Sequence, residues 1–310
     1  QDVFQPGQRI ALAEHGVAKC GTVDGAVLEG AWECGLDRAD RAALGEDRST
    51  LIAIPAGEEH KTRVTWAAIT DVLLEARFGR DSIVIALGGG VVGDLAGFVA
   101  ATFLRGVPVV QIPTSLLAMV DASIGGKTGV DTTVGKNLVG AFHPPLAVVA
   151  DLDTLETLPV IERINGLAEA LKHGVICDAS YFELVASIDI TADITTGIAT
   201  GTDQTDWQRV VARSVAIKSG VVASDEREHG LRKTLNFGHT IGHAVEQLME
   251  YRVPHGACVA YGMLVESKIA IALGLCDPAL GGQLRNALER LGLPTGMPGI
   301  LTPEAIVDAN

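Results

Sequence analysis

Three histidines and one glutamate have side chains that could bind a divalent metal ion. His239 and His243 lie four residues apart in the segment NFGHTIGH, and this spacing places both on one face of a helix. His255 follows in a Pro-His-Gly segment, and Glu169 lies upstream in GLAEALKHG. Three nitrogen or oxygen ligands with one open position are the arrangement of a catalytic zinc site. The cluster therefore indicates metal-assisted chemistry.

Spacing alone leaves two ligand sets open. In the first, His239 and His243 form the helical pair of HExxH sites, but Thr240 stands where that motif has its general base. In the second, Glu169, His239 and His255 hold the metal, and His243 is available for proton transfer. The ordinary alternative to both is that the histidines are core or capping residues.

A glycine-rich loop, GGGVVGD at residues 88–94, follows an apolar run and opens a helical pattern. Glycines let the backbone approach a phosphate closely, and a helix N-terminus adds N–H donors and the positive end of a dipole. An ordinary tight turn between a strand and a helix has the same pattern, but its place in the chain favours dinucleotide binding. Glu14, after the first predicted strand, is a candidate acceptor for a ribose hydroxyl or else a solvated carboxylate.

A second glycine-rich segment, residues 113–145, also contains Asp121, Lys127, Lys136 and Asn137. Its Gly-Gly-Lys-Thr sequence exposes backbone donors beside a cation, which suits a phosphate group. Apolar residues are interleaved with the polar ones and imply burial. This pattern favours a binding loop over a solvated connector.

Alternating strands and helices must position these residues in the first half of the chain. Apolar runs predict strands at residues 9–13, 50–54, 81–87, 107–112 and 146–150, and helical patterns fall at 65–76 and 91–104. Continuously apolar runs are typical of parallel strands buried on both faces. We therefore predict a Rossmann-like α/β domain with a mostly parallel sheet over residues 1–152.

Beyond about residue 151 only helical patterns remain. They lie at residues 161–176, 206–223, 232–249, 257–273 and 283–291, and residues 188–204 are predicted to be an exposed connection. We therefore predict a second, all-helical domain over residues 153–310.

Composition excludes several classes of protein. The 310 residues are 47% hydrophobic and only 20% charged, which excludes a disordered chain. A formal net charge of -14 excludes a nucleic-acid binder and disfavours an anionic membrane surface. The five cysteines are scattered and contain no CxxC pair, as expected of a reduced, cytoplasmic protein.

Five long motifs resemble the 3-dehydroquinate synthase family. They are LGGGVVGDLAGF, LLAMVDASIGGKTGV, GKNLVGAF, GLAEALKHG and LRKTLNFGHTIGHAVE, and the resemblance runs from about residue 50 to about residue 295. It implies an NAD-binding α/β domain, a helical metal-binding domain and an active site between them. It also implies a homodimer and a phosphorylated sugar-acid substrate, 3-deoxy-D-arabino-heptulosonate 7-phosphate, which the family converts to 3-dehydroquinate and phosphate in the shikimate pathway.

The resemblance also assigns roles to individual residues. It gives the metal, zinc or cobalt, to Glu169, His239 and His255, and so favours the second ligand set. It gives substrate and catalytic contacts to Arg105, Asp121, Lys127, Asn137, Lys172, Lys218, Arg232, Asn236 and His243. It gives NAD contacts to Glu58, Lys61, Gly89, Gly90, Asp94, Thr114, Ser115 and Lys136. The family's ribose-binding Asp has Glu14 as its nearest counterpart.

The sequence departs from the family pattern at a few places. Ala257 replaces a glutamate that usually follows the His-Gly pair, and the loss of an orienting carboxylate is predicted to alter metal affinity. Thr114-Ser115 stands for a twin threonine. The family pattern also leads us to expect a lysine-containing segment beyond Asn310 and a strand before the nucleotide-binding domain.

Three alternatives to a dehydroquinate synthase remain at this point. A related sugar phosphate cyclase would act on sedoheptulose 7-phosphate or glucose 6-phosphate, and the presence of Asn236 and His243 disfavours it. A metal-dependent polyol dehydrogenase would not need the lysine-rich segment 125–137. The third alternative is an inactive homologue that acts as a binding or regulatory subunit. Two departures suggest it: Ala257, and a substrate-contacting lysine of the family pattern that is expected only beyond Asn310.

Overall fold

The structure, a computed structural model, describes residues 10–15, 49–190, 204–296 and 301–309. The chain forms two compact units, Gln1–Leu158 and Pro159–Asn310. The first is an α/β unit and the second is helical, as the sequence predicts. The predicted domain boundary after residue 152 stays a prediction.

A parallel sheet organises the N-terminal unit. The strands are β1 Ile10–His15, β2 Ser49–Ile54, β3 Ile83–Gly88, β4 Val109–Pro113, β5 Lys127–Thr132, β6 Gly135–Phe142 and β7 Ala147–Val148. Five of them form one sheet in the order β2-β1-β3-β4-β7, and each neighbouring pair is parallel. The first four residues of β3 are all buried, which explains why this strand is apolar on both faces.

Over its described residues, the N-terminal unit also contains three α-helices and a hairpin. The helices are α1 Arg63–Glu75 and α2 Gly90–Thr102, and the short α3 Thr154–Thr157 follows β7. Strands β5 and β6 form an antiparallel hairpin inside the segment 113–145, which the sequence indicated only as a loop. Helix α2 packs closely against the hairpin. A Cβ added at Gly97 would lie only 2.5 Å from Thr128 Cγ2, so there is no room for a side chain at this position.

Helices make up the C-terminal unit over its described residues. They are α4 Val160–Cys177, α5 Ala179–Ala186, α6 Gln204–Ser224, α7 His239–Leu248, α8 His255–Ala272, α9 Ala279–Arg290 and α10 Pro303–Asp308. None of the helices in the described residues has the length and apolar character that crossing a membrane requires. Most of the predicted connection at residues 188–204 lies outside the described residues.

The prediction of one continuous helix over residues 232–249 was wrong. The segment divides into a 3-10 helix, Leu231–Asn236, and α7. Gly238 separates them with φ of 80°, in the left-handed region that favours glycine.

Among the described residues, Cys177, Cys258 and Cys276 are not joined in disulfide bonds. Cys20 and Cys34 lie outside the described residues.

Candidate active site

Glu169, His239 and His255 bring one oxygen and two nitrogens together in the C-terminal unit. Glu169 Oε1 lies 3.2 Å from His239 Nε2 and 3.1 Å from His255 Nε2. One ligand atom from each residue lies within 4.8 Å of the other two. The three residues come from α4, α7 and α8, and both histidines are the first residues of their helices. The atoms that converge are those of the second ligand set, and their role as ligands stays a proposal.

The other ring nitrogen of each histidine has an oxygen partner. His239 Nδ1 lies 3.2 Å from the carbonyl oxygen of Phe237, and His255 Nδ1 lies 3.0 Å from Glu246 Oε1. Because these oxygens accept, Nδ1 carries a hydrogen, and Nε2 is the ring atom that would bind a metal ion once it is deprotonated. Metal-binding histidines normally have this second hydrogen bond. The donor set and the partners of both Nδ1 atoms therefore fit a divalent metal ion such as zinc.

Charges around the three donors favour a cation. Burial by itself raises the pKa of Glu169, but Lys172 and His239 lower that pKa well below its usual value. Burial lowers the pKa of His255, whereas Glu169 and Glu246 raise it to about 10. The carboxylates thus stabilise a positive charge at the point where the three donor atoms meet. Lys172 Nζ forms an ion pair with Glu169 Oε2.

His243 lies one turn after His239 on α7 and is more open to solvent. Its side chain is 61% exposed, and its Nε2 lies 4.0 Å from Glu246 Oε2. Its ring centroid is 5.2 Å from that of His239. This placement leaves the imidazole accessible to a molecule bound at the metal, where it can exchange a proton.

The 3-10 helix before α7 carries Arg232 and Asn236. The carboxylate of Asp225 accepts the backbone N–H groups of residues 229, 230 and 232. Arg232 is 1% exposed, and its Nη1 donates to the carbonyl oxygen of Glu226. Asn236 Nδ2 donates to Glu228 Oε1 at 3.0 Å. Two further predicted substrate contacts, Lys172 and Lys218, are buried on α4 and α6.

The glycine loop of the N-terminal unit lies at the carboxyl edge of the parallel sheet. Gly88 at the end of β3 pairs with Pro113 at the end of β4, so Gly89 and Thr114 follow neighbouring strands at one edge. Gly89 is the N-cap of α2 and provides no capping side chain. The first N–H groups of this helix can therefore receive a phosphate, and the loop fits the dinucleotide that the resemblance implies.

Four of the predicted NAD residues belong to one cluster of ion pairs. Lys61 is 3% exposed, and its Nζ lies 2.8 Å from Glu58, 3.3 Å from Asp94 and 3.8 Å from Asp131. Lys136 Nζ lies 3.6 Å from the same oxygen of Glu58. Burial alone lowers the pKa of Lys61, but the three carboxylates raise it above its usual value. The cluster joins the glycine-loop helix to the β5–β6 hairpin.

The remaining predicted residues are distributed over the N-terminal unit. Asn137, with φ of 55°, donates its backbone N–H to Asp131 Oδ1 at 2.9 Å. Lys127 is exposed at the start of β5, and Arg105 is exposed beside Gly106.

Two other predicted residues lie in and before a π-helical turn, Ala118–Ala122. Asp121 is half-buried within this turn, and the Ser115 hydroxyl oxygen accepts the N–H of Ala118. Glu14 lies in β1, where its backbone pairs with Ala53 of β2 and Leu87 of β3. The structure describes the backbone of Glu14 and not its side chain.

Sequence reasoning missed three carboxylates that organise these groups. They are Asp131, Asp225 and Glu246. A signal for Glu246 was present, because it follows His243 by three residues on the same helical face as His239. Asp131 and Asp225 lie in segments without periodicity, so no spacing rule indicates them.

Comparisons with known proteins identify the family of this chain. The family models described as 3-dehydroquinate synthase N-terminal and C-terminal match residues 51–165 and 166–309. A 3-dehydroquinate synthase of Symbiobacterium thermophilum is 49% identical over 269 residues, 86% of this chain and 73% of that protein. Another, from a Synechococcus strain, is 50% identical over 262 residues, 83% of this chain and 69% of that protein.

A solved structure extends the likeness to the fold. The 2-epi-5-epi-valiolone synthase of Streptomyces hygroscopicus subsp. jinggangensis, determined with NAD+ and Zn2+ bound, has a TM-score of 0.78 and 27% identity. The match covers 97% of this chain and 79% of that one. From the two family models and the curated relatives together, we conclude that this chain belongs to the 3-dehydroquinate synthase family.

Proposed function

We propose that this protein converts 3-deoxy-D-arabino-heptulosonate 7-phosphate to 3-dehydroquinate and phosphate, as a lyase of the shikimate pathway. It uses NAD and a divalent metal ion, zinc or cobalt. The observation that carries the proposal is the convergence of Glu169, His239 and His255 through one carboxylate oxygen and two Nε2 atoms. Family membership over almost the whole described chain supports the choice of reaction.

The chemistry needs a hydride acceptor and a Lewis acid. When bound, NAD supplies a hydride acceptor that is restored within each cycle, and the metal ion supplies a Lewis acid for the substrate hydroxyls. Glu169, His239 and His255 hold the metal with their ligand atoms already directed to one point. The residues assigned to NAD binding, in the N-terminal unit, are Glu14, Glu58, Lys61, Gly89, Gly90, Asp94, Thr114, Ser115 and Lys136.

Cationic and amide side chains bind the two anionic groups of the substrate. Lys172, Lys218 and Arg232 are buried, and a buried cation interacts with a carboxylate or phosphate more strongly than an exposed one. The other predicted substrate contacts are Arg105, Asp121, Lys127, Asn137 and Asn236. The role proposed for these groups is to bind the substrate and orient it for the reaction.

His243 moves the proton in this scheme. With NAD bound as the hydride acceptor, its exposed imidazole would accept the proton of the substrate hydroxyl during the oxidation and would return a proton when the ketone is reduced. The neighbouring carboxylate of Glu246 stabilises the imidazolium that forms. While the ketone makes the adjacent C–H acidic, phosphate is eliminated and takes that proton as it leaves, and a C=C bond forms. Ring opening and an intramolecular aldol closure then complete the reaction.

We also infer a homodimer in the cytoplasm that acts on a small molecule and not on nucleic acid or membrane. Cys177, Cys258 and Cys276 are thiols that are not joined in disulfide bonds, which supports a reducing compartment. The family resemblance supports the dimer.

The test follows two products in one assay. Purified protein is given NAD, zinc and heptulosonate 7-phosphate, and phosphate release is recorded together with absorbance at the NADH band. Phosphate release without net NADH is expected. Steady NADH accumulation would indicate a polyol dehydrogenase, and activity only with sedoheptulose 7-phosphate would indicate a related cyclase. No signal with either substrate would indicate an inactive homologue.

A matched pair of variants links that activity to the candidate metal ligands. Glu169→Gln should lose at least 100-fold in kcat/KM, because a neutral amide binds zinc poorly. Glu183→Gln, in an exposed position on α5, should keep parental activity. Equal activity in both variants would contradict the assignment of Glu169.

A further inference from the structure

The two helices that begin with a candidate histidine ligand lack local capping side chains. The N-cap of α7 is Gly238 and the N-cap of α8 is Pro254, and neither donates or accepts a capping side-chain bond. A helix start leaves its first N–H groups without partners inside the helix. Because His239 and His255 are the first residues of α7 and α8, the position of each imidazole depends on how these starts are held.

Glu266, on α8, caps the start of α7. Its Oε2 accepts the N–H of Gly238 at 2.7 Å, and its Oε1 accepts the N–H of Ile241 at 3.4 Å. Gly238 is the N-cap of α7, and Ile241 is its third helical residue. In a capping box, two local side chains accept the N–H groups of these two positions. Here one carboxylate from another helix satisfies both, and its charge also matches the positive end of the helix dipole.

Asn165, on α4, caps the start of α8 in a similar way. Its Oδ1 accepts the N–H of Gly256, the second residue of that helix. Its Nδ2 donates to Glu162 Oε2 at 3.2 Å, which holds the amide in this orientation. Asn165 stands one turn before Glu169 on α4, so the capping group and the carboxylate ligand share a helix.

Close backbone packing explains why these caps come from other helices. A Cβ at Gly238 would lie 2.5 Å from Met263 Cγ and 2.8 Å from the carbonyl oxygen of Val259. A Cβ at Gly256 would overlap Asn165 itself. A Ser, Thr or Asp therefore cannot replace Gly238 as a local cap at the start of α7.

We propose that Asn165 and Glu266 are positioning residues that set the register of the three ligand-bearing helices. Asn165 ties α4, which carries Glu169, to the start of α8 and His255. Glu266 ties α8 to the start of α7 and His239. The two caps form a series from α4 to α8 to α7, and together they hold the three donor atoms at one point. This inference rests on the proposed metal role of those atoms.

The test measures metal affinity and amide exchange in the full chain, without NAD or substrate. Zinc affinity is obtained by competition with a chelator of known affinity, for Asn165→Ala, Glu266→Ala and Glu266→Gln. The alanine variants should bind zinc about 10- to 100-fold more weakly, the range found when groups supporting a ligand are removed. Glu266→Gln should fall between parent and Glu266→Ala, because its amide oxygen accepts one N–H and its NH2 group accepts none.

Hydrogen exchange identifies the caps directly. The amides of residues 238 and 241 should exchange at least 10-fold faster in Glu266→Ala, and that of residue 256 in Asn165→Ala. Asn286→Ala and Glu183→Ala, exposed on α9 and α5, are the matched controls and should match the parent in both measurements.

The outcomes separate this inference from the proposed reaction. If all three variants bind zinc as tightly as the parent, the positioning role is overturned. This holds even if amide hydrogen exchange becomes faster, because the caps would then only stabilise their helices. A parent that binds no zinc would overturn it as well. A parent that binds zinc, shows the expected losses in the variants and releases no phosphate would refute the reaction and leave the positioning role standing.

Discussion

Glu246 shows how one carboxylate can serve two imidazoles. Its Oε1 lies 3.0 Å from His255 Nδ1, and its Oε2 lies 4.0 Å from His243 Nε2. The family's glutamate after the His-Gly pair is Ala257 here, so an orienting carboxylate is missing at that position. In this chain Glu246, on α7, supplies a carboxylate to the imidazole of His255. The altered metal affinity expected from Ala257 stays a prediction, and Glu246 gives a reason to expect the change to be small.

Glu246→Gln should weaken zinc binding by about 10- to 100-fold, because the neutral amide no longer makes His255 a stronger ligand. Competition with a chelator measures this loss in the absence of substrate. Glu250→Gln is the matched control, since Glu250 is exposed beyond the end of α7 and pairs with Arg252 at the surface. Equal zinc affinity in the two variants would show that Glu246 does not orient the ligand.

The residue types of the candidate site were predictable, but their grouping was only partly so. The pair His239 and His243 follows from helical spacing, whereas Glu169 lies far upstream and no spacing rule joins it to either. The resemblance supplied that link. The side chains that support the ligands, Asn165 and Glu266, had no signal at all, because a cap donated from another helix depends on tertiary packing.

Helices α7 and α8 meet backbone to backbone at glycines. A Cβ at Gly262 would overlap the carbonyl oxygen of Gly238 and lie 3.0 Å from the nitrogen of Gly242. A Cβ at Gly242 would lie 3.2 Å from the carbonyl oxygen of Cys258. This close approach lets the first residues of both helices reach the same point.

Gly262→Ala should therefore lower the free energy of unfolding by about 1–3 kcal/mol, the usual cost of overpacking a close contact. Gly220→Ala is the matched control, because Gly220 lies in α6 and a Cβ there meets nothing within 4 Å. That change should stabilise the protein by up to about 1 kcal/mol through helix propensity. Urea denaturation compares the two, and similar values would mean that α7 and α8 are farther apart than described.

Elements with strong periodicity were predicted well, and irregular ones were not. The continuously apolar run of β3 reflects a strand buried on both faces, so its type was clear. The β5–β6 hairpin was missed because its glycines and lysines give no alternating pattern. The predicted helix 232–249 ran through Gly238, since apolar periodicity continues across a position whose backbone is left-handed.

The Lys61 cluster ties separate elements together and should make stability depend on pH. Burial by itself raises the pKa of Glu58, but Lys61 and Lys136 lower it to about 2 from a usual value of 4.5. A carboxyl whose pKa is lower in the folded state contributes stability above pH 4.5, and this contribution is lost as pH falls towards 2.

The free energy of unfolding of Glu58→Gln should therefore lie below that of the parent near neutral pH, and the difference should shrink between pH 4.5 and 2. Denaturation at a series of pH values measures the difference. Glu59→Gln is the matched control, because the neighbouring Glu59 side chain is 73% exposed. A gap between parent and Glu58→Gln that does not change over this range would contradict the ion pair.

Across the whole chain, charge is distributed unevenly. The net charge of -14 describes a mainly acidic protein with only eight lysines. Five of these lysines fall on positions assigned to NAD or substrate, and three of the five, Lys61, Lys172 and Lys218, are buried. Buried lysines are rare unless they are paired, and Lys61 and Lys172 pair with carboxylates. Most of the lysines therefore lie where anionic ligands are proposed to bind.

Metal binding should stabilise the C-terminal unit as a whole, because the three ligands come from helices that lie far apart in sequence. A ligand that binds only the folded state at 100 times its Kd adds about 2.7 kcal/mol to the free energy of unfolding. Zinc should thus raise the Tm of the parent, and a chelator should reverse the rise. Glu169→Gln should lose most of this response, while Glu183→Gln, exposed on α5, should keep it.

Hydrogen exchange locates the effect of zinc. Protection should increase at the starts of α7 and α8 and around Glu169 on α4, and not in the parallel sheet. Zinc-dependent protection confined to the sheet would place the metal elsewhere in the protein.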